Sequence, residues 1–200
     1  MNFKENNNTQ YNTVCIDGQM WMAEDLHVTT YRNGEPICQA IDDGEWLYLC
    51  QCEIGAYYCY DINNSTRIMY NGYAVNDARE LAPEGWRIPT VDDWEKMIIN
   101  LGGQEEAGGK LKDTGLENWI SPNIGATNSS GFTAVGAGWK EIFCGGNYTK
   151  GIVTGYWTKT LSQVGDVVDN HVFLLRHDSS GVSRLEGYMD CGESVRCIKK

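Results

Sequence analysis

The chain has 200 residues, a hydrophobic content of 42% and a formal net charge of -11. That length fits one domain with its own core, and the composition excludes a disordered polymer. The acidity argues against nucleic acid and anionic membranes as partners, because both need clustered Lys and Arg, and no apolar run reaches the roughly eighteen residues that a membrane-spanning helix needs.

Residues 1–12 are polar and Asn-rich and read as a flexible tail, with neither a signal peptide nor a lipidation motif. The domain is read as residues 13–200. Thr13-Val14-Cys15-Ile16 is a strand, Asp17-Gly18 a hairpin turn, and Gln19-Met20-Trp21-Met22 the return strand. Residues 23–56 read as irregular, with Trp46-Leu47-Tyr48-Leu49 as a short strand. Next comes a helix. Thr90 is its N-cap, Asp93 completes a capping-box variant, and Trp94, Met97, Ile98 and Leu101 form one apolar stripe at i, i+3, i+4 and i+7. Gly102-Gly103 stops it, and Pro89 makes the chain enter extended. A weaker helix is placed at 105–112, interrupted by Gly108-Gly109. From residue 113 onward, β-prone runs stand between Gly and Asn: residues 131–135, 155–158, 171–176 and 194–198. Helices in the middle and strands at both ends make an α+β arrangement.

The side chains that could carry chemistry are few. The cysteines at 15, 38, 50, 52, 59, 144, 191 and 197 lack the paired Cys-x2-Cys spacing of zinc sites. Disulfides in an oxidising compartment and buried free thiols both fit them. Alternation puts His171, Phe173, Leu175 and His177 on one strand face, which reads as a solvent- or ligand-facing stripe. The two histidines are too far apart along a strand to share a metal ion. Trp86, Trp94, Trp119, Trp139 and Trp157 read mainly as core, with Trp46 and Trp119 the more exposed because they lie in irregular stretches. The Asn147-Tyr148-Thr149 sequon carries little weight by itself.

A set of motifs follows one order. They are Thr13-Val14, Ile-Asp-Gly-Gln-Met-Trp-Met-Ala-Glu-Asp-Leu at 16–26, Tyr73-Ala74-Val75-Asn76, Leu-Ala-Pro-Glu-Gly-Trp-Arg-Ile-Pro-Thr at 81–90 and Asp93-Trp94-Glu95. They continue through Leu101-Gly102-Gly103, residues 107–112, residues 125–132, Gly155-Tyr156-Trp157 and Ser194-Val195-Arg196-Cys197. Together they resemble the Fibrobacter succinogenes major paralogous domain over roughly residues 13–200. The resemblance implies a C-type-lectin-like fold similar to the formylglycine-generating-enzyme branch, with two helices packed against twisted antiparallel strands. It also implies a bacterial surface or secreted domain. Two departures stand out. Thr158-Lys159-Thr160 replaces a Trp-Ser-Ser-Thr type of stretch, and Ala82 stands where many relatives have a cysteine. If that cysteine pairs with the one in Val-Arg-Cys, Cys197 has lost its partner here.

In such folds the C-terminal third carries the ligand, and here agreement with the family drops between 158 and 190. The expected ligand surface is Thr158, Lys159, Leu161, Gln163, Val167, Val168, Asp169, His171, Phe173, Leu175, His177, Leu185, Tyr188 and Met189. The expected activity is non-enzymatic binding to a protein or glycan on another cell or surface, outside the cell or on a virion. Some relatives with this fold are rewritten by diversity-generating retroelements, and residues 158–190 are the matching window. The alternative is an oxidase-like enzyme using Cys191 and Cys197. Calcium-lectin motifs are missing, although Asp166, Asp169 and Asn170 offer oxygens. No metal or other cofactor is expected.

Overall fold

The computed structural model describes residues 11–62, 65–140, 150–164 and 167–200, with backbone alone at 62, 164 and 167. Cys144, Asp166 and the sequon at 147–149 lie outside the described residues. Within them the chain is α+β, with three sheets and four helices.

The first sheet has the order β1 (Thr13–Ile16), β2 (Gln19–Met22), β11 (Ile198–Lys199), β6 (Trp86–Arg87). Its opening hairpin turns on Asp17 and Gly18, both at positive φ, as a two-residue primed turn requires. Ile198 pairs with both Trp21 and Arg87, so the end of the chain is laced between the first hairpin and β6. The second sheet has the order β10 (Gly192–Glu193), β5 (Ser65–Asn71), β4 (Ala56–Ile62), β3 (Cys38–Ala40). The third is an antiparallel meander of β7 (Val153–Val164), β8 (Val167–Arg176) and β9 (Val182–Gly187).

Helix α3 (Val91–Asn100) starts as the sequence predicts. Thr90 accepts the Asp93 amide at 3.3 Å, and Asp93 accepts the Thr90 amide at 2.8 Å. Trp94, Met97 and Ile98 are buried, and Leu101 packs against the same cluster at the C-cap. Trp94 lies at its centre, edge-on to Trp21 and Phe132 and stacked on Phe173 at 5.0 Å. The four aromatics join α3 to the first and third sheets.

The weaker helix is α4 (Ala107–Leu111), and its glycines are contacts rather than interruptions. A Cβ at Gly108 would collide with the Gly181 carbonyl, and one at Gly109 with the Gly125 carbonyl. Directly after α4, buried Lys112 donates to the carbonyls of Ile124, Arg176 and Ser179 at 2.9, 2.8 and 2.8 Å. One ammonium thereby ties two loop positions to the end of β8.

Several expectations are corrected. Residues 46–49 are not a strand but part of α1 (Asp43–Gln51), capped by Asp42, whose carboxylate accepts the Glu45 amide at 2.8 Å. A further helix, α2 (Gly72–Asn76), begins where Asn71 accepts the Ala74 amide at 2.9 Å. The described residues therefore hold four helices, not two. Residues 131–135 contribute a single bridge, Ala134 to Lys112. Residues 194–198 are not one strand; between β10 and β11 the backbone leaves the ladder. Trp46 and Trp119 are fully buried, each with its indole N–H on a backbone carbonyl, of Asp190 and Ala134 respectively.

The departure from the ladder near the C-terminus carries Arg196 into the core. Its Nε donates to Asp25 Oδ1 at 2.9 Å, and a terminal nitrogen also reaches Asp25. Another donates to the Phe132 carbonyl, and the guanidinium lies 4.1 Å above the Phe132 ring. The buried pair links two motifs 171 positions apart.

Candidate functional site

The third sheet divides the predicted surface in two. Near its base, both faces of β8 are core: Phe173 and Leu175 are buried on one face, Val172 and Leu174 on the other. Alternation along β8 is as expected, but the face bearing Phe173 packs on α3 instead of meeting solvent or a ligand. Thr158 is also buried, with its hydroxyl donating to the His171 carbonyl at 2.9 Å. Thr158, Phe173 and Leu175 are withdrawn from the ligand surface. Phe173 and Leu175 complete the Trp94 cluster, and Thr158 is held inside by its hydrogen bond to the His171 carbonyl.

The far end of the sheet is different. Leu161 pairs with Asn170, Gln163 with Val168, and Leu185 with Val172. Residues two apart on a strand share a face, so Leu161, Val168 and Leu185 lie on one side. Each is substantially exposed, at 49%, 42% and 52%, and Tyr188, just past β9, is 63% exposed. Gln163 is exposed beside Val168. Gly187 lies between them, where a Cβ would strike Val172 and Trp157.

The opposite side at this end is polar. Ser162 pairs with Asp169, and His171 with Glu186. The Ser162 hydroxyl reaches the Glu186 carboxylate at 2.8 Å. Burial pushes the Asp169 carboxyl up, opposed by a hydrogen bond from the Met189 backbone. His171 is half-buried. This end thus offers an apolar face and a hydrogen-bonding face on paired strands.

Of the remaining predicted residues, His177 and Met189 lie apart. His177 is half-buried beyond the end of β8, 3.0 Å from the Ser121 carbonyl. Met189 is half-buried against Gly72 at the start of α2. Val167 is on β8, its side chain outside the described set. Asn170, considered above for calcium, is buried with its amide in the protein: it donates to the Thr158 carbonyl at 2.7 Å and accepts from Asn76 at 2.6 Å.

Lys159 points to a second feature that the sequence reading missed. Its ammonium donates to the Val75 carbonyl at 2.7 Å and lines a cleft of about 180 Å³. Leu81, Ala82, Ile88 and Thr90 line the same cleft, so one wall is built from the motif at 81–90.

The motifs therefore converge in space. Residues 81–90 wall the cleft and cap α3, residues 107–112 form α4 and its clamp, and Arg196 meets Asp25. A family model for the Fibrobacter succinogenes major domain matches residues 14–199. The chain belongs to that family. No curated protein and no solved structure matches it. In this family member, Ala82 and Cys197 fall in the same buried cluster, at the positions where the resemblance implied a cysteine pair in other members. Cys197 is fully buried, and burial pushes its thiol far above the ordinary range.

Proposed function

We propose that this family member is a non-enzymatic binding module of C-type-lectin-like fold, displayed on a bacterial surface or a virion. It engages a protein or glycan on another cell through the far end of the third sheet. The observation that carries this reading is the exposed apolar set of Leu161, Val168, Leu185 and Tyr188 gathered at one end of a sheet whose base is core. Recognition energy concentrates in a few aromatic and apolar anchors on rigid supports. Helices α3 and α4 against twisted strands are consistent with the proposed fold. A thiol as deeply buried as that of Cys197 is a poor nucleophile, which weighs against an oxidase using Cys191 and Cys197.

The test is binding of the full chain to a panel of cell-surface proteins and glycans, alongside a Leu185→Ser/Tyr188→Ala variant. The variant is expected to lose at least tenfold in affinity for whatever the wild type binds, with its thermal midpoint preserved. Undiminished binding by the folded variant refutes the surface. Rewriting by a retroelement is a separate part of the proposal. Sibling isolates should then differ at this locus mainly within residues 158–190, and substitutions spread evenly along the chain would contradict it.

A further inference from the structure

The cleft beside Lys159 has an apolar floor and one under-used cation. Val75, Leu81, Ala82 and Ile88 are all buried and line it. Three cationic side chains and one carboxylate, Glu80, line it, and two of the cations are committed. Arg32 donates to the carbonyls of Ala82, Pro83 and Trp86, and pairs with Glu80. Arg87 holds both oxygens of Asp93, at 2.5 and 2.7 Å. Lys159 is different. Among the described residues it forms no ion pair, and its hydrogen bond is to the Val75 carbonyl. Asp77 is near enough to influence it but is held by Arg79 at 2.8 and 2.6 Å. An ammonium has three donors, so two directions of Lys159 stay open.

We propose that the cleft binds a short aliphatic carboxylate, with its chain on the Val75, Leu81 and Ile88 floor and its carboxylate on Lys159. The chemistry of the walls selects this class. A neutral apolar ligand leaves the ammonium no better satisfied than before. A phosphate dianion calls for more than one free cation, and here both arginines are already engaged, which leaves Lys159 to match a single carboxylate charge. A carboxylate accepts from the open N–H groups and gives Lys159, an exposed residue that lines the cleft, a charge partner; partial desolvation lowers the ammonium's pKa and Asp77 opposes that. The volume of about 180 Å³ accommodates a chain of roughly four to six carbons. This site does not rest on the proposed partner surface, because the cleft residues are distinct from Leu161, Val168, Leu185 and Tyr188.

The experiment is a titration of the isotope-labelled full chain with sodium hexanoate and, separately, hexan-1-ol, followed by amide and lysine side-chain resonances. Hexanoate should give saturable shifts at residues 75, 81–82, 88–90 and 159, with hexanol at least about tenfold weaker, as expected for loss of a charge-assisted hydrogen bond. Lys159→Gln should weaken hexanoate by a similar factor at an unchanged thermal midpoint. Comparing acid and alcohol needs no variant, so it decides the matter even if the substitution perturbs folding. Equal binding of hexanol and hexanoate, saturable shifts located elsewhere, or no saturable response to hexanoate each overturns the proposal.

Discussion

Asp25 and Arg196 form a fully buried ion pair. Each answers the other's charge. Breaking such a pair by removing one partner leaves an uncompensated buried charge, at a cost of about 3–5 kcal/mol. Asp25→Ala should therefore lower stability by about that much in urea denaturation, and a loss below about 1 kcal/mol would mean that water reaches Arg196. Asp93 is a second ion-paired carboxylate. Burial raises its carboxyl pKa, but the Arg87 guanidinium and the Thr90 amide and hydroxyl outweigh that and hold it below the usual range. Its folded value lies below its unfolded value. The stabilisation is therefore complete above the unfolded pKa of about 4 and fades as pH falls through the folded one. The stability gap between wild type and Asp93→Asn should narrow from pH 7 to pH 3. A constant gap would show that the carboxylate's charge is not what Arg87 and Thr90 recognise.

The elements differ in how openly the sequence declared them. Helix α3 was legible because its cap, stripe and stop agree, and its side chains behave accordingly. Ile98→Ala should cost roughly 2–5 kcal/mol, whereas Ile99→Ala, on the exposed side, should stay within about 0.5 kcal/mol. Comparable losses at both positions would contradict the stripe. Helix α1 was misread because Trp46-Leu47-Tyr48-Leu49 is apolar throughout, and short apolar runs do not distinguish strand from helix. The useful signal was Asp42 before Trp46, Leu49 and Cys50, which are the buried positions at helical spacing. On β8 the period was right and the environment wrong. Alternation fixes which residues share a face but not what covers that face, and Trp94 lies more than seventy residues away in sequence. Gly108 and Gly109 looked like helix breakers because the carbonyls they accommodate belong to distant turns. Gly108→Ala should consequently destabilise far more than the usual helix propensity would suggest; a gain in stability would show that the turn at 180–181 can yield.

At the scale of the whole molecule, three small sheets are tied together by α3, the Lys112 clamp and the Asp25–Arg196 pair, all built from motifs of the family. Among the described residues, the far end of the third sheet carries several large apolar side chains outward on neighbouring strands. A rigid frame with an adjustable rim is the physical basis for reading the chain as a binding module. The most direct test is amide hydrogen exchange of the full chain with and without a partner found in the surface panel. The account predicts added protection confined to residues 161–171 and 183–189. Protection centred on the loops at 28–55 instead, with the far end of the third sheet unchanged, would contradict it.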